Sequence, residues 1–323
     1  MHKAVSRRKV LALCAAAGGA ALVPFGTPAR AGSVPVLEWT GVSLGSVSTI
    51  RLTHPDQHIG RQLLRRAVAE ARRLEAIFSL YRDDTVLSEL NRAGMLVAPP
   101  AELVHLLSLC DGMWRMTEGA FDPTVQPLWR CYADHFSAAN ADPAGPSPQK
   151  LAEAVGLTGW PDVGVSRDRI AFARRGMALT LNGIAQGYIT DRVIELLRQE
   201  GITSSLVDMG EIRTLGQRPD GRAWQTAIET PAPQSLALDL VDKAVATTSA
   251  GGFRFDAEGR CNHLFNPATG RCAEPAIHRT VVAPTAATAD ALSTAFTLMD
   301  EDGARRVLAR APHVRLYPET GKG

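Results

Sequence analysis

Two short segments about a hundred residues apart hold most of the chemistry legible in this chain: Leu181–Asp191, LNGIAQGYITD, and Thr288–Phe296, TADALSTAF. The first follows the apolar run MALTL and places Ile184, Tyr188, Val193 and Leu197 at helical spacing. It therefore reads as a strand ending in a glycine turn that opens a helix. Such a helix start offers unpaired N–H groups and the positive end of a dipole, which together favour an anion such as phosphate. The second segment sets Asp290 and Thr294 four apart, on one helix face. A carboxylate, a hydroxyl and neighbouring carbonyls are hard oxygen donors of the kind magnesium takes. An anion cradle beside a magnesium site implies phosphoryl or nucleotidyl chemistry. Each feature also has a plainer account. Asp290 can cap or salt-bridge its own helix while Thr294 packs, and Gly183 and Gly187 can simply ease a tight turn.

The elements that must position these residues follow from periodicity. Residues 36–53 alternate like one or two strands, and a long helix spans about Gln57 to Phe78. A short helix, VLSELNRAG, stops at Gly94, and 101–117 form another amphipathic helix. The run EGAFDPTVQPLW reads as a loop turning at Asp122-Pro123, and the Ala/Pro/Ser-rich stretch from His135 to Pro148 as a surface connection. The second half predicts a strand at 177–182, a helix at 185–200 closed by Gly201, and a strand in SSLVDMG. A hairpin at Pro219-Asp220-Gly221 follows, with strands near 224–229, 236–241, 244–248 and 281–284, and helices at about 287–299 and 302–310. Helices interspersed with antiparallel hairpins indicate an α+β (mixed α/β) fold, a mixed sheet core with flanking helices. The βαβ-like unit at 177–208 does not make a dinucleotide-binding fold, since G-x-G-x-x-G is absent.

The N-terminus carries Ser6-Arg7-Arg8-Lys9, an Ala/Leu/Gly stretch to about Val23, and Ala29-Arg30-Ala31. This pattern predicts a twin-arginine signal at 1–31, cleaved after Ala31, and one domain at 32–323 that is soluble in the periplasm. Cys14 lies inside the apolar stretch after the bulky Leu13, which disfavours a lipoprotein. Residues 1–31 hold Lys3, Arg7, Arg8, Lys9 and Arg30 and no acid, so the full-length net of +2 becomes 30 basic against 33 acidic residues, net −3. No basic stripe with interleaved aromatics is present, so a nucleic-acid partner is not expected. Four cysteines remain, Cys110, Cys131, Cys261 and Cys272, without C-x-x-C spacing. Cys261 and Cys272 flank a short turn and are placed for a staple, while buried free thiols account for all four equally well.

From about Gly45 to Leu308 the chain resembles the ApbE-type FAD:protein FMN transferases. The resemblance rests on ordered motifs: Leu44-Gly45-Ser46; Tyr81 ahead of LSELNRAG; GAFDPTV at 119–125; LNGIAQGY at 181–188; LVDMGEIRTLG at 206–216; HLFNPATG at 263–270; and DALSTA at 290–295. Four departures stand out: Leu44-Gly45-Ser46 in place of Met-Gly-Thr, Gln186 in place of lysine, Met209-Gly210-Glu211 in place of a Gly-Gly-Asp-type turn, and Asn266 in place of aspartate. By the resemblance, Gln186 in place of lysine bears on one phosphate contact, for which backbone amides and magnesium could compensate. NGIAQGYITDR with LVDMGE further resembles the NosX-like subgroup that accompanies nitrous-oxide respiration. Its client is a membrane flavoprotein with a periplasmic FMN-binding domain.

The resemblance implies a two-lobed catalytic unit in which a threonine or serine hydroxyl of that acceptor attacks the FMN-side phosphorus of FAD, expelling AMP. It implies that Mg2+ is held by Asp290, Thr294 and the carbonyl of Ala185. FAD would be contacted by Leu44, Tyr81, Ala120, Phe121, Asp122, Gly183, Gln186, Gly187, Glu211 and His263. His263 is the candidate general base, since an imidazole near neutrality can accept the hydroxyl proton. The plainer accounts are a turn histidine for His263, an Asx turn for Asp122, and core packing for Tyr81 and Leu44. Two rival functions share the motifs: a periplasmic FAD pyrophosphatase, and a non-catalytic flavin-binding assembly factor.

Overall fold

Alternation in residues 36–53 produces a full antiparallel hairpin in the computed structural model, which describes residues 21–22, 34–228 and 236–318. After a two-residue strand β1 (Ala21–Leu22), strand β2 (Val36–Ser43) pairs with β3 (Ser46–Thr53) from Val36↔Thr53 to Ser43↔Ser46. The two-residue turn between them places Leu44 and Gly45 at φ 47° and 82°. Two positive φ values give the primed turn whose twist matches the strands. The rest of the expected twin-arginine segment, with Cys14 and the Ala31 cleavage site, lies outside the described residues.

Helix α1 (Gln57–Phe78) starts where Asp56 accepts the N–H groups of His58 and Ile59, and its stripe of Leu63, Leu64, Ala67, Ala71, Leu74 and Phe78 is buried. Helix α2 (Val86–Ala93) stops at Gly94, φ 73°. Strand β4 (Met95–Val97) and helix α3 (Ala101–Met116) follow. The expected loop through QPLW is instead a 3₁₀ turn at Pro123–Val125 running straight into helix α4 (Gln126–Phe136). Pro127 stands in its first turn, where the missing N–H is harmless. The His135–Pro148 connection is correspondingly shorter, since its ends belong to α4 and to α5 (Pro148–Val155). Strands β5 (Val163–Val165) and β6 (Arg169–Phe172) form a small sheet with β4 that periodicity does not reveal.

The strand expected at 177–182 is absent. Met177, Ala178, Leu179 and Leu181 are buried as expected, but their backbone pairs with loops and a side chain rather than a ladder. Asn91 holds Leu179 from both sides, accepting its N–H at 2.7 Å and donating to its carbonyl at 2.8 Å, while Thr180 N–H donates to Pro123 O at 2.8 Å. An apolar run satisfied this way looks like a strand in sequence and is not one.

Helix α6 (Ala185–Gln199) ends near Gly201, φ 79°. Then come β7 (Ser205–Asp208), β8 (Ile212–Leu215), β9 (Trp224–Ile228), β10 (Leu236–Leu240), β11 (Ala244–Ser249) and β12 (His278–Ala283). Helices α7 (Ala286–Phe296) and α8 (Glu301–Arg310) and strand β13 (Arg315–Tyr317) complete the described elements. The main sheet runs β13-β12-β11-β8-β7-β3-β2, and each of these ladders is antiparallel. The architecture is α+β. The chief apolar core joins α1, α3 and α6; a second joins α7 to β11 and β12. A smaller cluster around Leu128, Tyr132 and Phe265 lies apart from both.

Candidate active site

Helices α6 and α7 pack antiparallel, with Gly183 against Thr294, Gly187 against Asp290 and Ala286, and Asp191 at the α7 start, and glycines at the beginning of α6 make the close approach possible. A Cβ on Gly187 would stand 2.3 Å from the carbonyl oxygen of Ala286, and one on Gly183 3.0 Å from Thr294 Oγ1. The helix start is not the open amide cradle its sequence suggests. Ala185 N–H already donates to Leu181 O at 2.8 Å, and Gly187 N–H to Asp290 Oδ2 at 3.1 Å. Thus a carboxylate of the protein itself occupies the position expected for an anion. The two glycines serve the close approach of α7.

Around this junction opens a cleft of about 420 Å³, within the range that holds small molecules. Leu44, Tyr81, Ala120, Phe121, Asp122, Gly183, Ala185, Gln186, Glu211, His263, Asp290 and Thr294 all line it; Gly187 lies just behind. Of the residues named from sequence, then, only Gly187 is without a face on the cleft. The cleft separates the chief core, which supplies Leu44, Phe78 and Phe121, from the small cluster that supplies Phe265.

The acids are buried. Asp290 is 3% and Glu211 8% exposed. Burial pushes the Asp290 carboxyl up to about 8, against the Gly187 N–H that favours its charged form. Glu211 is raised well above the usual carboxylate range, first by burial and then by the charges of Asp290 and Asp208. Burial also lifts Asp208 to about 6. Glu211 and Asp208 flank the turn between β7 and β8, where Gly210, φ 98°, leaves room for Gln186: a Cβ there would meet Gln186 Nε2 at 2.5 Å. Gln186 in turn donates to Ser46 Oγ at 2.7 Å, tying the α6 start to the β2–β3 turn. Thr294 Oγ1 lies 3.3 Å from Thr248 Oγ1.

Asp122 is committed to its own loop. Oδ1 accepts from Thr124 N at 2.8 Å and Thr124 Oγ1 at 2.5 Å, and Oδ2 accepts from Trp160 N at 3.1 Å. The Asx-turn account therefore describes it, and it holds Ala120 and Phe121 at the cleft. Tyr81 Oη accepts from Asn182 Nδ2 at 3.4 Å. Leu44 is 7% exposed and its N–H donates to Glu75 Oε1 at 3.2 Å, which steadies an unfavourable φ.

His263 lines the cleft together with Phe253, Leu264 and Phe265. Its Nδ1 is 3.2 Å from the Phe253 carbonyl, which can only accept, so Nδ1 carries the proton and Nε2 keeps a free lone pair. Burial lowers its pKa, favouring the neutral ring. Phe253 stands edge-on to His263, with centroids 6.3 Å apart, and beside Trp129, also 6.3 Å away. Both aromatics line the cleft and escaped the sequence reading. The sequence places Trp129 in the EGAFDPTVQPLW loop, whereas it stands on α4 three residues before the buried Tyr132, and that helical spacing is the signal that finds it. The cysteines Cys110, Cys131, Cys261 and Cys272 are free thiols.

Among the described residues no group of three or more His, Cys, Asp or Glu is arranged to hold a metal. The donors at the α6–α7 junction are of another kind: one carboxylate, one hydroxyl and a backbone carbonyl, all oxygen and partly desolvated. A buried carboxylate held close to a second acid is a chemical fit for a hard divalent cation.

Comparison with known proteins gives concordant matches. The ApbE family model matches residues 44–317. An FAD:protein FMN transferase of Haemophilus influenzae is 31% identical over 252 residues, 72% of this chain and 71% of that one. Another, from Escherichia coli K12, is 24% identical over 296 residues, 88% and 84% of the two chains. The crystal structure of the flavinyl transferase ApbE of Pseudomonas stutzeri, apo form, aligns with a TM-score of 0.75 at 26% identity, covering 89% of this chain and 92% of that one.

Proposed function

The chain belongs to the ApbE family, and from that premise we propose that it transfers FMN from FAD to a threonine or serine hydroxyl of an acceptor protein, releasing AMP. The observation that carries this reading is the α6–α7 junction, which sets Asp290 and Thr294 against the 183–187 turn in a cleft that also holds a neutral histidine. In the step, the acceptor oxygen bonds to the FMN-side phosphorus, the bond from that phosphorus to the AMP-side oxygen breaks, and the hydroxyl proton passes to His263 Nε2. No covalent enzyme intermediate is needed. Asp290, Thr294 and the Ala185 carbonyl would hold Mg2+, which when bound neutralises pyrophosphate charge. Gln186 and Ser46 border the phosphates as neutral donors, Tyr81 and Leu44 flank a ring of FAD, and Glu211 lies beneath the junction.

We extend the reading to the twin-arginine route, the periplasm, and an FMN-binding domain of a membrane flavoprotein in nitrous-oxide respiration as acceptor. These rest on the N-terminal pattern and on the NGIAQGYITDR and LVDMGE motifs. The test incubates the mature protein with FAD, Mg2+ and a purified periplasmic FMN-binding domain, reading acceptor mass and AMP. An FMN adduct that EDTA prevents is expected. AMP without adduct would instead indicate an FAD pyrophosphatase, and neither product a binding or assembly role.

A further inference from the structure

Asp191 and Arg213 form an ion pair that the transfer step does not use. Asp191 lies one turn after Gly187 on α6, so the two share the face that docks on α7. Its Oδ1 accepts the N–H of Ala286 at 2.8 Å and its Oδ2 that of Ala287 at 2.9 Å. Arg213 Nη1 donates to the same Oδ1 at 2.6 Å, and the two side chains are only 13% and 16% exposed. One carboxylate thus ties together three elements: α6, which carries Ala185 and Gln186; β8, which begins one residue after Glu211; and α7, which carries Asp290 and Thr294.

Helix capping alone does not account for this arrangement. α7 already has its own N-cap, Thr285, whose Oγ1 accepts from Thr288 N. The other side-chain caps reach N–H groups two or three residues away, as Asp56 and Asp300 do. Asp191 comes from 95 residues away and satisfies two further amides of a helix that was already capped. Ala286 and Asp290 are four apart and so share a face of α7. Pinning Ala286 therefore sets where Asp290 and Thr294 point relative to the 183–187 turn.

We propose that Asp191, braced by Arg213, is a positioning residue that fixes the geometry of the divalent-cation donors across the α6–α7 junction; this rests on reading Asp290, Thr294 and Ala185 as those donors. The test compares wild type with Asp191→Asn, which keeps the shape but leaves one acceptor oxygen for the two amides and removes the charge that pairs with Arg213. Two readouts are taken: the Mg2+ concentration giving half-maximal FMN transfer, and the Mg2+-induced rise in melting temperature with FAD bound. The expected result is a midpoint about tenfold higher, a smaller Mg2+-induced rise, an unchanged KM for the acceptor, and recovery of rate at high Mg2+. A lower melting temperature without Mg2+, combined with a wild-type midpoint, would overturn the proposal, because a merely structural pair moves stability alone. Should Asp191→Asn not fold, Arg213→Lys, which keeps the charge with fewer donors, must shift the midpoint in the same direction by a smaller factor; an unchanged midpoint there overturns it equally. If wild type itself showed neither Mg2+-dependent transfer nor a Mg2+-dependent melting shift, the proposed function would fail first.

Discussion

The two walls of the cleft are built differently. On one, α6 and α7 lie in close contact: Gly187 N–H donates to the Asp290 carboxyl, and the space a side chain would need at Gly187 belongs to the backbone of Ala286. On the other, His263, Phe253 and Trp129 come from separate stretches and are held by ring packing and a single contact to a carbonyl. A site for pyrophosphate and a cation needs fixed donors, whereas a site that must meet a hydroxyl on another protein needs a surface that can accommodate it. The walls therefore should fail in different ways when altered.

The largest effect is expected at the fixed wall. Asp290→Ala should lower transfer by at least on the order of 10³-fold and remove its Mg2+ dependence, read by acceptor mass against time. Gly187→Ala comes next, because its Cβ would meet backbone rather than a flexible side chain. It should cost about 3 kcal/mol of stability by denaturant unfolding, the upper end of overpacking, and lose transfer with it. At the adaptable wall, His263→Gln should reduce kcat by about 10²–10³-fold and leave KM for FAD unchanged. Since burial holds the His263 pKa below its usual value, the wild-type acid limb should lie below about pH 6.5, with rate falling as pH drops and the ring protonates. His263→Gln should abolish that limb. The smallest effect belongs to Gln186→Ala, which removes the hydrogen bond to Ser46. About 1 kcal/mol is at stake, a several-fold rise in KM for FAD with kcat little changed.

The same contrast explains what could be read from sequence. The fixed wall is legible because its parts are local: a glycine turn before a 3.6-residue pattern, and Asp290 and Thr294 at i, i+4. Even there the sequence misled in two respects. MALTL has a strand's composition, yet Asn91 and Pro123 take its backbone bonds, and no local pattern reports a partner 88 residues away. The α6 amides looked free for phosphate because Asp290 could not be seen to reach Gly187. The opposite wall was hidden further. His263 showed as a motif residue, but Trp129 and Phe253 acquire their places only when α4 and the β11–β12 connection pack together. Nothing local in the sequence marks Asp191, since its meaning lies in α7. The α+β class itself was plain, because hairpin turns and amphipathic helices are local signals.

The most direct test of this division is calorimetric FAD binding, with and without Mg2+, by wild type, Asp290→Ala and His263→Gln. The account predicts that His263→Gln binds FAD with Mg2+ as tightly as wild type while transferring almost nothing, and that Asp290→Ala loses the Mg2+-dependent part of the affinity. Equal loss of affinity in both variants, or Mg2+-dependent binding that survives in Asp290→Ala, would contradict it.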